Sequence, residues 1–320
     1  MHGSPFSADE LAAQALAGGG PRGHGIQDFM SEQSRHFFGQ LPYLFVAAID
    51  AGGWPLATLL SGRPGFLRAP DPTILRIDAV PDAADPAAIS LVPDRLIGVL
   101  GIDLSTRRRN RVNGRIVDRD AVGITVAVSQ SFGNCPQYIQ RRALDGSEIG
   151  RSSAAIPAES FGHLDEAAQS AILAADTFFV ASRSRSADDA DQSAAHGASH
   201  SAGLGADISH RGGRPGFVRI DGDVLTIPDF RGNRYFNTLG NLIGEPRASL
   251  LFVDFQTGDL LQLQGHAEIE WNAAAAEQIT GAERLWRFHV TRGWRRKAAS
   301  PLRWSFVDYS RTTTATGLWH

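Results

Sequence analysis

Residues 62–68 read GRPGFLR, and residues 213–219 read GRPGFVR. The two stretches differ only at Leu67 against Val218. The same spacing pairs Asp78 with Asp229, Asp103 with Asp254 and Gly114 with Gly265. A constant offset between otherwise different sequences points to a tandem duplication, one unit copied and then diverged. Two copies are too few for a solenoid, which stacks three or more repeats. The expected arrangement is two similar domains packed on each other, like a homodimer written on one chain.

Length and composition agree with this. The 320 residues suffice for two domains of ordinary size, and 42% hydrophobic against 20% charged residues describes a folded globular chain. A net charge of −3 gives no overall pull toward nucleic acid. Positive charge is almost all Arg, with Lys297 the only lysine, and Arg suits bidentate contacts to phosphate. Cys135 is the only cysteine, which excludes an internal disulfide and a cysteine-rich metal site. No apolar run approaches a membrane span, and residues 1–25 lack the features of a signal peptide. A cytoplasmic protein is expected, with no membrane or nucleic-acid partner; a homodimer is left open.

Along the chain, residues 1–26 read as a tail, 27–150 as the first domain and 151–320 as the second. Helical spacing predicts a helix over Ile26–Gln40, then a hairpin from LPYLFVAAID (41–50) and LATLLSG (56–62). Further strands are expected at 74–78, 95–103, 110–118 and 121–129, and SFGNCPQYIQRR (131–142) reads as a loop running into a helix. In the second copy, a helix at 165–174 precedes the strand ADTFFVASRS (175–184). Residues 184–205 have the composition of a mobile insertion. Strands PGFVRI and DVLTIPD, a helix within 232–246, two long strands, an Ala-rich helix (272–280) and two final strands complete the pattern. Mostly antiparallel strands with short helices predict a mainly β chain of two small barrels.

The second copy resembles the FMN-binding split-barrel family typified by pyridoxamine 5'-phosphate oxidase. The resemblance rests on PGFVRI, LTIPDFRGNRYFNTLGNL, EPRASLLFVDF and LLQLQGHAEI. The first copy, with STRRRNRVNGRI and QSFGNCPQYI, looks like the partner half in tandem members. The likeness covers roughly residues 27–310 and implies two tandem split barrels forming a pseudo-dimer. It also implies FMN at the interface and a flavin-dependent oxidoreductase drawing on NAD(P)H or another donor and acting on a small molecule. The superfamily also holds haem-handling proteins and apparent non-enzymes, so a non-catalytic flavin or haem binder is the alternative. Where the vitamin oxidase has a Ser-Arg-Lys phosphate segment, this chain has FRGNRYFNT, a departure that bears on pyridoxamine phosphate oxidation itself.

A flavin mononucleotide needs a cradle for a dianion, a flat slot and polar groups for the ring edge. Asp229–Thr238 offers charge in Arg231 and Arg234 and neutral donors in Asn233, Asn237 and Thr238, ahead of a helix N-terminus that favours an anion. A solvated turn with an Asn cap reads the same residues. Gly213 and Gly216 would admit a ring close to the backbone, with Arg214, Pro215, Phe217 and Val218 alongside; a hairpin turn is the alternative. By resemblance the strand residues Thr226, Ile227 and Pro228 join this set. Gln262 alternates with Leu261 and Leu263 and faces either flavin or solvent.

The first copy's counterpart of the phosphate loop, 79–94, carries Asp82, Asp85 and Asp94 and no Arg or Lys, so it would repel a phosphate. One competent site per chain follows. Conversely, STRRRNR (105–111) is basic. On a strand, Arg107, Arg109 and Arg111 would share one face and Arg108 and Asn110 the other. These arginines either close the second copy's site or protect a sheet edge. Asn134 and Cys135 sit at the expected helix start, where a thiol is a catalytic candidate, a packed residue or a flavin contact. His196, His200 and His210 give no convincing metal set, so no metal is expected, and no catalytic residue stands out.

Overall fold

The computed structural model of the chain describes residues 4–145, 156–185 and 205–319. The expected domain boundary near residue 150 and residues 186–204 of the expected insertion lie outside them.

The chain is mainly β, with two large antiparallel sheets and 44% strand against 16% helix. Helix α1 (Ala8–Leu16) opens with a capping box: Ser7 Oγ accepts from the Glu10 N–H, and Glu10 accepts from the Ser7 N–H. Helix α2 (Glu32–Gln40) starts at the Ser31 cap, not at Ile26 as its spacing predicted. Residues before it are tied to neighbouring chain instead: Gln27 bridges Ser131, and the Met30 N–H donates to the Pro72 carbonyl.

The first half continues with β1 (Tyr43–Ile49), β2 (Pro55–Ser61), β3 (Leu67–Asp71), β4 (Ile74–Ile77), β5 (Leu96–Asp103), β6 (Arg108–Arg119), β7 (Ile124–Asn134) and β8 (Arg141–Asp145). The second holds β9 (Glu159–Phe161), α3 (Glu166–Ala174), β10 (Thr177–Arg183), β11 (Ala206–Gly212), β12 (Arg219–Asp221) and β13 (Val224–Phe230). After helix α4 (Asn237–Gly244) come β14 (Arg247–Val253), β15 (Leu260–Glu270), the short α5 (Ala273–Ala276), β16 (Ala282–Arg296), β17 (Arg303–Asp308) and α6 (Arg311–Thr314). One sheet runs β2-β1-β5-β6-β7-β4-β3 and the other β11-β10-β14-β15-β16-β13-β12, the same connectivity twice.

Both GRPGF stretches form the same turn. Phe66 N–H donates to Arg63 O and Phe217 N–H to Arg214 O, each at 2.9 Å. The central glycines, Gly65 and Gly216, have φ of +93° and +84°, as a Pro-Gly turn with a left-handed third position requires. The duplicated Gly114 and Gly265 also share one physical reason. Each sits at a β-bulge, and a Cβ there would lie 2.1 Å from a carbonyl oxygen, of Ala127 or His289.

Strands β1 and β10 are buried on both faces. Leu44 and Val46 enter the first half's core, while Phe178 and Val180 enter the second's. Their alternate residues meet between the halves, where Phe45 and Phe179 stack at 16° within a third apolar cluster. The C-terminal strand β17 then pairs with β8 of the first half.

The helix expected in 131–142 does not form. Strand β7 runs through Asn134, and the turn that follows finds its hydrogen bonds elsewhere. Tyr138 N–H donates to Thr312 Oγ1, and the buried Gln140 side chain donates to the carbonyls of Tyr138 and Gly213 and to Thr313 Oγ1. Strand β11 was hidden beside the Ala/Ser-rich run, and the helix expected at 272–280 shrinks to α5.

Candidate functional site: a basic cleft between the halves

Strands β6 and β11 come from different halves and face each other across a cleft. From β6, Arg111 gives Nη1 to Asp207 Oδ1 at 2.7 Å and to Asn237 Oδ1 at 3.2 Å, and Nη2 to Ser209 Oγ at 2.6 Å. Thr238 Oγ1 extends this buried network to Ser209. Burial lowers the Arg111 pKa, with Asp207 opposing.

Two positions further out on β6, Arg109 is placed differently. Its Nε donates to the Cys135 carbonyl at 2.9 Å, and its Nη1 lies 3.3 Å from His210 Nδ1. No carboxylate pairs with it among the described residues. Arg109 keeps an exposed edge, yet enough protein surrounds it that desolvation lowers its pKa to about 10, so it stays charged at neutral pH. Because a guanidinium can only donate, His210 Nδ1 must accept, which leaves the proton on Nε2. His210 is 6% exposed, and burial with the neighbouring Arg109 holds its pKa well below the usual histidine range. Its Nε2 has no partner among the described residues.

These groups line a cavity of about 100 Å³, closed by Asn134, Cys135, Gln137 and Tyr138 on one side and by Phe230, Gly232 and Asn233 on the other. That is space for about three waters. Tyr138 stacks on Phe230 at 5.3 Å, and its hydroxyl donates to the Arg231 carbonyl. Next to the cavity, Asp229 pairs with Arg211 and Arg284, each at 2.5 Å.

The cavity brings together Arg109, Arg111, Asn134, Cys135, Phe217, Pro228, Asn233 and Asn237 of the expected site. Others lie elsewhere. Arg107 is not on the Arg109 face: it has φ +58° in the turn before β6 and pairs with Asp308. Asn110 lies partly buried on β6. Arg214 donates to Thr314 O, and the turn that follows has Pro215 exposed and Gly216 half-buried. A Cβ on Gly213 would meet the Phe217 ring at 2.3 Å, so the space beside that glycine is already filled. Val218 and Ile227 are core residues, and Thr226 is buried on β13 opposite Arg287. Cys135 follows a strand, not a helix cap, and its thiol lies 3.5 Å from Gln137 Oε1.

Within the expected cradle, Arg231 is exposed with no side-chain partner among the described residues, and Asn233 caps the Tyr235 N–H. Arg234 donates to the Ala17 carbonyl. The N-terminus of α4 is covered by α1. Asn237 Nδ2 donates to Glu10 Oε1 at 2.5 Å, and a Cβ on Gly240 would lie 2.5 Å from Glu10 Cα. Glu10 is 3% exposed, and desolvation raises its pKa to about 7 against its hydrogen bonds from Ser7 and Asn237.

Gln262 belongs to the related cleft formed by β15 and β2. There its Nε2 donates to Ala57 O at 2.9 Å and to Asp85 at 3.2 Å, while Thr58 and Arg296 bind the same carboxylate. The acidic loop of the first copy therefore fills this cleft with its own buried Asp85–Arg296 pair.

Asp207, Ser209, His210 and Arg211 were not among the expected site residues. The duplication held the signal, because extending its offset aligns LATLLSG (56–62) with DISHRGG (207–213).

No family model matches the chain, and no curated protein matches it. Among solved structures, a HupZ variant from Group A Streptococcus is similar at 13% identity over 41% of this chain and 98% of that chain, with a TM-score of 0.29. A candidate pyridoxamine 5'-phosphate oxidase from Lactobacillus delbrueckii is similar at 15% identity over 33% and 95%, with a TM-score of 0.27. The Bacillus subtilis inhibitor of motility MotI/DgrA is similar at 8% identity over 78% and 87%, with a TM-score of 0.20. Scores this low leave the reading of this chain to its own geometry.

Proposed function

We propose that the chain is a tandem pair of split barrels, residues 27–150 and 151–320, that binds one FMN in the β6–β11 cleft and serves as a flavin-dependent oxidoreductase. The single observation that carries this reading is Arg109, a largely desolvated guanidinium without a carboxylate partner among the described residues, set where both halves meet. An uncompensated cation in such a place favours an anionic ligand. The matching connectivity of the two sheets and the recurrence of bulge and turn at duplicated glycines support the duplication.

The donor set fits the phosphate. Arg109 would hold it by charge, and the His210 Nε2–H offers a donor to a ligand oxygen. The cavity as it stands does not fit the ring, since small-ligand sites run to about 300–1,000 Å³. Binding therefore requires the Asn134–Tyr138 segment to move outward. Bound FMN would supply hydride or electron transfer, and the protein's part is to position it and exclude water. The related cleft, filled by Asp85 and Arg296, takes none.

A second reading is a protein that holds flavin or haem without turnover. The visible spectrum of the purified protein separates them. A flavin spectrum bleached by NAD(P)H and restored by an acceptor supports the enzyme. A flavin that resists reduction, or a Soret band, supports the holder, and a colourless protein that refuses added FMN removes both.

A further inference from the structure

A separate cavity lies where α3 faces the β14–β15 turn and β17. Its volume is about 540 Å³, within the range of small-molecule sites, about 300–1,000 Å³. One wall is the helix face carrying Ala167, Ala171 and Ala174, which projects nothing beyond methyl groups. The other holds aromatic rings: Phe255 and Trp304 are buried, while Phe306 stands 48% exposed. Phe255 and Trp304 meet edge to face at 87°, and an apolar lining of rings and methyl groups suits an aromatic ligand.

Among the residues lining it, Arg142 and Asp176 form a buried pair, Nη2 reaching both carboxylate oxygens at 2.6 and 2.7 Å. The guanidinium also lies 4.0 Å from the centre of the Phe255 ring. Its Nη1 is buried without a partner among the described residues, and so is the hydroxyl of Thr177, a residue 1% exposed. Buried polar groups are nearly always hydrogen-bonded, so two unmet ones on a ligand-sized apolar cavity call for an explanation. The charge state narrows it. Arg142 is already balanced by Asp176, so a bound anion would be desolvated without a counter-charge and a bound cation would face a guanidinium. Other charged lining residues are engaged already: Arg295 pairs with Glu159 and Asp165, Asp254 accepts the Gln256 and Thr257 N–H groups, and Asp259 accepts that of Ala298.

We propose that this cavity binds a neutral aromatic carbonyl compound. Its rings lie between the alanine face and the aromatic wall, and its carbonyl oxygen takes the hydrogen bonds that Arg142 Nη1 and the Thr177 hydroxyl leave unmade. The site is distinct from the Arg109 cleft and does not depend on flavin binding there.

The test titrates the full chain with 6-propionyl-2-(dimethylamino)naphthalene, a neutral aromatic ketone whose emission moves to the blue in apolar surroundings. A saturable blue shift at one probe per chain, undisturbed by excess FMN, is expected. Ala171→Trp places an indole in the cavity from an exposed helix position and should cut affinity about tenfold or more, with the far-UV circular dichroism unchanged. Thr177→Val keeps the shape, removes the hydroxyl and should weaken binding severalfold. No blue shift, equal affinity in Ala171→Trp, or displacement by FMN would overturn the site. Unchanged affinity in Thr177→Val would overturn the polar anchor, and tighter binding of the anionic probe 1-anilinonaphthalene-8-sulfonate would overturn the neutral class.

Discussion

Glu10 ties the N-terminal helix to the cleft, and replacing it by Gln should remove the pH response of that contact. The carboxyl titrates near 4.5 when the helix is free and at about 7 when it is docked. A raised acid favours the docked state while protonated. Docking strength is therefore fully present below about pH 4.5 and is lost as pH rises through about 7. The difference between about 4.5 and about 7 corresponds to about 3 kcal/mol. Burial is the main cause, with Asp207 adding to it; Ser7 and Asn237 oppose by hydrogen bonding, and Arg111 faces the group with opposite charge.

Glutamine removes the charge but also one acceptor, because its Nε2 cannot accept from the Ser7 N–H, at a cost of about 1 kcal/mol. The net gain above pH 8 is about 2 kcal/mol, or roughly thirtyfold in protection. Helix α1 can open without unfolding the sheets, so the assay is amide hydrogen exchange of α1, wild type against Glu10→Gln at matched pH. At pH 8 the variant should exchange more slowly; at pH 5 the advantage should vanish. An equal ratio of rates at both pH values would refute the reasoning.

Arg109→Ala should weaken FMN by tenfold or more, about 1.4 kcal/mol or above, while changing riboflavin little, as calorimetric titration of both ligands can show. Phe179→Ala removes half of the stacked pair between the halves and should cost about 3–5 kcal/mol in chemical denaturation. Gly265→Ala forces a Cβ against the His289 carbonyl and should lower Tm by several degrees, as Gly114→Ala should against Ala127, each read by calorimetry. Gln262→Ala should destabilise the fold by loosening the Asp85 contacts yet leave FMN affinity unchanged.

Much of the architecture was legible because the continuous apolar runs in LPYLFVAAID and its counterpart are forced by two cores, one on each face of β1 and β10. The GRPGF pair was legible as a repeat but ambiguous as chemistry. Pro and Gly at those positions satisfy a turn, and the same residues would also have suited a close approach by a ring. Two local readings failed for tertiary reasons. The chain after Cys135 satisfies its backbone through Thr312 near the C-terminus and through the Gln140 side chain, which no local spacing reveals. Strand β11 borders an Ala/Ser-rich run and mixes Asp207, Ser209 and His210 into its pattern, because its outward residues face a polar cleft instead of an apolar core. Arg111 and Arg109 illustrate the limit for the site. Both were visible as charge on one strand, but that one is paired with Asp207 and the other has no carboxylate among the described residues follows only from what the second half places opposite them.

The central claim is one anion-dependent flavin site per chain, and a fluorescence titration of the wild-type protein with FMN and with riboflavin tests it most directly. The account predicts saturation at one FMN per chain, with riboflavin at least roughly tenfold weaker for want of the phosphate. Two equivalents, no binding, or equal affinity for the two flavins would contradict it.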